Sequence, residues 1–390
     1  MRIRVVVAAF LTQAIIIGCM FSYGVFFKIL EEEMGWSRTI LSASSSVAFL
    51  TMGVLAIVGG RLNDRYGPRW VLSISGVLTG LGYVLMSQVT ESWQLLIFFG
   101  LFIGVGLSTH DVVTLSTVAS WFDKRRGAMT GVVKTGTACG QMILPVVATL
   151  LVSIYGWRSA LIIIGVGVAA SLLLISQWMR RPTENKAAAQ QVQSEVWGLS
   201  FAQAKRTRIL WTLCAIQFCF FPALMTIPLH ILVHATDLGM TTVKAATVLS
   251  LIGGSSILGR LSIGMLLDKL GGRTSLIFCL LPLALSLGSL LIIENPSNLY
   301  LFALAYGIAH GGLFTVVSPT VAEYFGMKAH GAIFGVILFF GTLGGAAGPL
   351  LAGVLFDLLG SYQLTFALLS ALALAGLLLA ISLRKPALTT

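Results

Sequence analysis

The chain has 390 residues, of which 57% are hydrophobic and only 10% are charged. Soluble domains carry roughly 25% charged residues, so this composition excludes an ordinary soluble protein. The net charge of +11 does not indicate a nucleic-acid-binding protein, because the basic residues lie in short loops between apolar runs. That placement follows the positive-inside rule of membrane proteins.

The apolar runs predict twelve membrane-spanning helices, since each run is long enough to cross a bilayer. The predicted spans are 4–30, 39–60, 70–89, 93–121, 127–155, 157–179, 208–234, 242–267, 273–293, 297–323, 330–356 and 361–383. A long polar stretch, residues 180–208, separates the sixth span from the seventh. We therefore predict an all-α integral membrane protein with an N-terminal bundle (1–180), a cytoplasmic linker (181–206) and a C-terminal bundle (207–390).

A sequence repeat relates the two halves. The string at residues 60–69 returns at residues 264–273, so that Asp64 lies 204 positions before Asp268. Matching glycines and prolines in the fifth and eleventh spans share this offset. The repeat predicts two pseudo-symmetric six-helix bundles, and transporters built in this way bind their substrates near the membrane midplane.

The distribution of Lys and Arg predicts the orientation in the membrane. Nineteen of the 25 basic residues lie on one side and four on the other, while Lys134 and Arg260 lie within spans. By the positive-inside rule, both termini and the central linker are expected in the cytoplasm.

The string at residues 60–69, with its weaker copy at 264–273, resembles the loop motif between helices two and three of the major facilitator superfamily. In that family the motif is a cytoplasmic latch that favours the outward-facing state and is not a substrate site. The resemblance implies a latch role for Asp64, Arg65, Arg69, Asp268 and Arg273.

A narrower resemblance lies in residues 121–140, where an aromatic pair, a basic loop and a glycine-rich helix follow one another. This pattern is similar to the fifth-helix signature of the monocarboxylate transporter family, which includes oxalate/formate-type relatives. Residues 35–38 resemble the bacterial members, so the expected location is the bacterial cytoplasmic (inner) membrane. The protein is expected to function as a monomer. Arg260 falls where the family carries its carboxylate-binding arginine. The acid that animal members have four residues earlier is Ser256 here.

Arg260 is the first candidate for substrate binding. A charge inside the bilayer costs ~2.5–3.5 kcal/mol on insertion scales, so such residues are functional by default. The guanidinium group makes two parallel hydrogen bonds to a carboxylate and stays ionised. The alternative role is a structural pair with another buried acid.

Lys134 and Asp111 lie ~10 Å and ~15 Å into the neighbouring fifth and fourth spans. They either neutralise each other structurally, or Asp111 exchanges protons and releases Lys134 to bind substrate. His110 points about 100° away from Asp111 on an ideal helix. It is either a second proton-coupling group, since its ordinary pKa is near 6.5, or a packing donor.

His310 and Tyr306 lie four residues apart in the tenth span, hence on one helix face, and are further candidates for substrate contacts. The basic loops lack the Gly-Lys-Ser/Thr ending of a phosphate-binding loop, and no catalytic triad or metal cluster is recognisable. We therefore expect neither an enzyme nor a cofactor or metal site.

These features predict a secondary active transporter of a small organic anion that works by alternating access. The first hypothesis is proton-coupled transport of a monocarboxylate such as lactate or pyruvate. Lys134 and Arg260 together would also suit a dicarboxylate exchanger, for example one for oxalate. Efflux of amphipathic compounds is a third hypothesis. A membrane sensor or scaffold would need an extra cytoplasmic domain or a long tail, and we expect neither. The expected partners are the anion, protons and the lipid bilayer, with no nucleic acid.

Overall fold

The computed structural model describes residues 2–36, 38–122, 125–182 and 197–383. Within these ranges, twelve helices are long and apolar enough to cross a membrane. In chain order they are α1 Arg2–Met34, α2 Arg38–Tyr66, α3 Pro68–Met86, α4 Ser92–Trp121, α5 Arg126–Tyr155, α6 Trp157–Ser176, α7 Arg208–Asp237, α8 Thr242–Leu270, α9 Gly272–Ser289, α10 Asn298–Phe325, α11 His330–Leu359 and α12 Gln363–Ser382. The described residues form no β-strand, which confirms the predicted all-α membrane fold.

Part of the predicted linker, residues 183–196, lies outside the described residues. The same is true of four basic residues used for the orientation, namely Lys124, Lys186, Arg384 and Lys385. Residues 197–199 contact the connection between α10 and α11. There the Met327 amide donates to the Trp197 carbonyl oxygen at 3.1 Å, next to Gly326, whose φ is +73°.

The motif at residues 60–69 is not a loop. Helix α2 continues to Tyr66, Gly67 (φ +87°) is the single break, and α3 begins at Pro68. The repeat-related Gly271 (φ +79°) joins α8 to α9 in the same way. Glycine adopts positive φ without a steric penalty, and proline suits the first turn of a helix. Two long helices can therefore meet through one residue.

The chain divides into two compact units. Unit 1 comprises the described residues within 1–123, 132–199 and 326–339, and unit 2 comprises those within 124–131, 200–325 and 340–390. The first turns of α11 thus belong to unit 1, and the first turn of α5 belongs to unit 2. The domain limits at residues 180 and 207 follow the sequence repeat and stay a prediction.

Helices α4 and α10 are buried along most of their lengths in units 1 and 2 respectively. Other helices expose apolar side chains, such as Leu174 on α6 (72% exposed), Leu285 on α9 (65%) and Leu378 on α12 (68%). Exposed leucines of this kind are the surface expected against lipid acyl chains. The enclosed helices α4 and α10 carry four of the six residues predicted to bind substrate or protons, namely His110, Asp111, Tyr306 and His310.

Candidate functional site

An ion pair lies inside unit 1. The Lys134 Nζ on α5 donates to the Asp111 Oδ1 on α4 at 2.7 Å, and the two residues are only 2% and 6% exposed. Isolated buried charges are very costly, so each group stabilises the other in its ionised form. The two helices therefore bring together the pair that the span depths predicted.

Gln13 on α1 is a third member of this cluster. Its Nε2 donates to Asp111 Oδ1 at 2.8 Å and to Thr114 Oγ1 at 2.9 Å, and the residue is fully buried. Both Gln13 and Lys134 thus donate to the same carboxylate oxygen. The other oxygen, Oδ2, remains for a different neighbour.

That neighbour is His110. Its Nδ1 lies 2.5 Å from the Leu107 carbonyl oxygen, which can only accept, so Nδ1 carries a proton. The ring's Nε2 lies 3.6 Å from Asp111 Oδ2, although ideal helix geometry directs the two side chains about 100° apart. In the neutral histidine Nε2 is an acceptor, so two acceptors face each other across this distance. One added proton would allow a hydrogen bond between His110 Nε2 and Asp111 Oδ2.

Arg260 lies in unit 2, on α8, and is 5% exposed. Its Nη1 donates to the Ser256 hydroxyl one turn earlier, and its Cζ lies 5.7 Å from the ring centroid of Phe314 on α10. An arginine over an aromatic face is held by cation–π attraction. Ser256 and Phe314 thus fix the plane of the guanidinium group.

Ser256 also links Arg260 to His310, whose Nδ1 lies 3.3 Å from the Ser256 hydroxyl oxygen. The His310 ring packs edge-on against Phe314 with centroids 5.0 Å apart. Two candidate residues that lie 50 positions apart in the sequence therefore share one serine.

Tyr306 is one turn before His310, and their ring centroids are 5.6 Å apart. The Tyr306 side chain is fully buried, and its hydroxyl donates to the Ala223 carbonyl oxygen of α7 at 2.9 Å. The hydroxyl thus serves helix packing, while the ring supports His310.

Asp64, at the end of α2, lies at the first turn of α11. Its Oδ2 accepts a hydrogen bond from the Ala332 amide at 3.2 Å, and its Oδ1 lies 3.9 Å from Arg181 Nη2. A carboxylate at a helix N-terminus accepts the unpaired amides and is favoured by the helix dipole.

Asp268 makes the repeat-related contact in unit 2. Its Oδ1 and Oδ2 accept hydrogen bonds from the amides of Gly127 at 2.7 Å and Ala128 at 2.9 Å, in the first turn of α5. Asp64 and Asp268 are 204 residues apart, as are Ala128 and Ala332. The sequence repeat is therefore also a repeat of contacts.

Comparison with known proteins gives the family. A family model described as the Major Facilitator Superfamily matches residues 9–306 and 256–389. The chain belongs to the major facilitator superfamily. Proteins of this superfamily are transporters, so the chain is a membrane transporter, as the sequence resemblance predicted.

Two similar proteins carry different names. Monocarboxylate transporter 13 of Rattus norvegicus is 28% identical over 382 residues, covering 95% of this chain and 86% of that protein. Agnestins efflux protein AgnL12 of Paecilomyces divaricatus is 24% identical over 369 residues, covering 90% of this chain and 80% of that protein.

Among solved structures, the proton:xylose symporter XylE bound to 6-bromo-6-deoxy-D-glucose matches with a TM-score of 0.73. It is 15% identical and covers 97% of this chain and 94% of that one, which supports the major facilitator fold.

The other three residues predicted for the latch, Arg65, Arg69 and Arg273, follow in the same two strings of sequence. Arg65 and Arg69 are exposed, and Arg65 Cζ lies 5.2 Å from the ring centroid of its neighbour Tyr66. Arg273 donates to the Ile381 carbonyl oxygen at the end of α12, at 2.6 Å.

Arg181 is a partner of Asp64 that sequence reasoning missed. It donates to the backbone carbonyl oxygens of Asn63 and Asp64, the latter at 3.0 Å, besides lying near the Asp64 carboxylate. Burial lowers the pKa of Arg181, and the Asp64 charge acts in the opposite direction. In the sequence, nothing distinguishes Arg181 from the other basic residues of the linker.

Proposed function

We propose that this superfamily member is a proton-coupled transporter of small monocarboxylates such as lactate or pyruvate, working by alternating access. The observation that carries the proposal is Arg260, a buried guanidinium whose plane is set by Ser256 and Phe314. A pre-oriented guanidinium matches the two oxygens of a carboxylate, and little ordering entropy is lost on binding. The similarity to a protein named monocarboxylate transporter 13 supports the same substrate class.

His310 is proposed as the second substrate contact of unit 2. It shares Ser256 with Arg260 and is held by the rings of Tyr306 and Phe314. In this position its imidazole would hydrogen-bond the hydroxyl or keto oxygen next to the carboxylate. Tyr306 contributes through its ring, because its hydroxyl is bonded to the Ala223 carbonyl.

The proton is proposed to bind between His110 Nε2 and Asp111 Oδ2, which lie 3.6 Å apart. This proton would neutralise the carboxylate and weaken its hold on Lys134, 2.7 Å away at the other oxygen. The released ammonium group would then attract the substrate anion. Proton binding and anion binding would thereby favour each other, which is what symport requires.

Asp64 and Asp268 are proposed as latch residues, because each accepts backbone amides from the first turn of α11 or α5. Arg65, Arg69 and Arg273 are proposed as the basic residues of the same latch, and Arg273 donates to a carbonyl oxygen at the end of α12. The cytoplasmic location of both termini, the monomeric state and the bacterial inner membrane stay predictions.

Proteoliposome uptake tests the substrate and the coupling together. Labelled lactate, pyruvate, formate and oxalate would be followed with and without an inward proton gradient, and with and without unlabelled internal substrate. We expect gradient-driven accumulation of lactate or pyruvate. Arg260→Ala should abolish it, and Arg260→Lys should weaken substrate binding because the planar fork is lost. Lys269→Ala, an exposed charge on the same helix, is the control. Unchanged uptake by Arg260→Ala would contradict carboxylate binding.

Dicarboxylate exchange is the second candidate, because Lys134 and Arg260 give each unit one buried cationic side chain. It predicts uptake of oxalate that requires internal substrate and ignores the proton gradient. Efflux is the third, supported by the similarity to a protein named as an efflux protein. It predicts no uptake of the four anions.

A further inference from the structure

A groove of about 490 Å³ lies in unit 1, on the surface formed by α2, α3 and α4. Its volume falls within the range of roughly 300–1,000 Å³ found for ligand pockets. Leu55, Val58 and Leu62 of α2 form one wall, and Val71 and Ile74 of α3 form the other. The lining is almost wholly apolar, so the groove is suited to bind a hydrocarbon chain.

The buried lining residues Gly59, Ser75, Ser108 and Thr109 form the floor of the groove. The Ser108 hydroxyl donates to the Val105 carbonyl oxygen at 2.6 Å. The Thr109 hydroxyl donates to the Ser75 hydroxyl at 2.9 Å, and the Ser75 hydroxyl donates to the Leu72 carbonyl oxygen at 3.2 Å. These hydroxyl groups already have partners within the protein. The floor can therefore accept hydrocarbon without leaving a polar group unpaired.

One end of the groove is lined by aromatic side chains, and each of them has an exposed arginine as its neighbour in the sequence. Tyr66 and Trp70 line it and are 57% and 65% exposed. Arg65 stacks on Tyr66, and Arg69 is the exposed neighbour of Trp70. Trp and Tyr prefer the membrane–water interface, so this end lies at the level of lipid headgroups, where two arginines would meet an anionic group.

The sequence repeat provides an internal comparison. At the offset of 204, Gly59 corresponds to Ile263, and Ser75 corresponds to Cys279. A Cβ on Gly312 would lie 2.7 Å from Ile263 Cγ1 and 2.6 Å from Cys279 Sγ, so Ile263 packs into the space between these helices. In unit 1 the corresponding residue is Gly59, which lines the groove beside Thr109, and a Cβ at this position would lie 3.3 Å from Thr109 Cγ2. Tyr66 and Trp70 become Leu270 and Thr274. The groove lining of Gly59, Tyr66 and Trp70 is therefore specific to the first half, whereas basic residues occur at the repeat-related positions of both halves.

We propose that this groove is a binding site for one anionic phospholipid. An acyl chain fills the space above Gly59, and the headgroup phosphate contacts Arg65 and Arg69. The proposal is independent of the transported substrate, because none of its residues belongs to the Arg260 or Asp111 clusters.

Native mass spectrometry of the purified full-length protein tests the site, with phosphatidylglycerol and phosphatidylcholine of equal chain length as probes. We expect tighter retention of phosphatidylglycerol. Arg65→Gln/Arg69→Gln should remove this preference, weakening phosphatidylglycerol about fivefold for each arginine. Gly59→Ile should weaken both lipids by filling the floor, and Leu55→Trp should do the same from the wall. Glycerol 3-phosphate, which has the headgroup charge without the chains, should not compete.

The matched control is Lys269→Gln/Arg273→Gln, which removes the same charge from the repeat-related positions. It should retain phosphatidylglycerol as the unmodified protein does. The proposal is overturned if the control loses as much lipid as Arg65→Gln/Arg69→Gln, or if neither Gly59→Ile nor Leu55→Trp changes retention. Competition by glycerol 3-phosphate would instead identify a site for the phosphate alone and would also overturn it.

Discussion

The ammonium group of Lys134 lies 2.7 Å from Asp111 Oδ1, so a buried base on α5 neutralises a buried acid on α4. Gln13 donates to the same oxygen, and His110 faces the other. The carboxylate is thus surrounded by groups that bind it when it is ionised and by one group that could share a proton with it. This arrangement can serve stability and proton transfer in different states of the transport cycle.

The contribution of the ion pair to stability is measurable with a double-mutant cycle. Lys134→Met should lower the free energy of unfolding by about 3–5 kcal/mol, because the Asp111 carboxylate is left buried without its counter-charge. Asp111→Asn should do the same to Lys134. The double variant should recover most of the loss, as both charges are gone. Thermal unfolding in detergent would measure this. Strictly additive losses would mean that the two charges do not stabilise each other.

Asp111→Asn should also abolish proton-driven accumulation of substrate while leaving exchange across the membrane intact, since an amide cannot carry the proton. Uptake and exchange in proteoliposomes would be compared. Gln13→Leu is the matched control, because it removes a hydrogen bond to the same oxygen and keeps the titratable group. Accumulation by Asp111→Asn equal to that of the unmodified protein would exclude Asp111 as the proton carrier.

Ser256→Ala should raise the substrate KM roughly tenfold or more with a smaller change in kcat, because a hydrogen bond to a charged group contributes about 1.5–3 kcal/mol. Without the Ser256 hydroxyl, Arg260 and His310 would lose the contact that orients them toward the substrate. Ser262→Ala, on the same helix, is the control, since its hydroxyl bonds only within α8. Equal KM values for the two variants would argue against the orienting role.

Tyr306→Phe should cost about 1 kcal/mol of stability and leave the KM for substrate near its original value. Its hydroxyl is bonded to the Ala223 carbonyl, and the phenyl ring that replaces it still packs against His310. Transport kinetics and thermal unfolding together check this. A large rise in KM without loss of stability would instead make the hydroxyl a substrate ligand.

Asp64 and Asp268, the two aspartates of the proposed latch, can serve as controls for each other. Asp64→Ala should speed hydrogen exchange of the Ala332 amide, and Asp268→Ala should speed that of Gly127 and Ala128. Losing a side-chain partner at a helix N-terminus costs about 0.5–2 kcal/mol, so exchange should rise about 2- to 30-fold. Hydrogen-exchange mass spectrometry would resolve the two peptides. Equal changes at both helices in either variant would contradict separate local contacts.

The sequence predicted the twelve spans because apolar runs of about 20 residues rarely occur outside membrane-spanning helices. It also predicted the pairing of Lys134 with Asp111, because isolated charges in neighbouring spans must be neutralised. It did not predict Gln13 or Arg181 as partners of Asp111 and Asp64. Those contacts join residues 98 and 117 positions apart, and no local pattern records which polar side chain a fold brings to an acid. The approach of the His110 ring to Asp111 depends on the side-chain rotamer of His110, which the sequence does not predict either.

The anchoring of Trp197 has a practical meaning for protein engineering. Arg181 is bonded to the end of α2, and the Trp197 carbonyl accepts a hydrogen bond from Met327, so both ends of the intervening segment are fixed within unit 1. A folded reporter domain inserted between residues 183 and 196 would therefore be attached at both ends to unit 1. The insertion would not lengthen the segment that leads into α7, so a protein with a fluorescent domain at this position should transport like the unmodified protein.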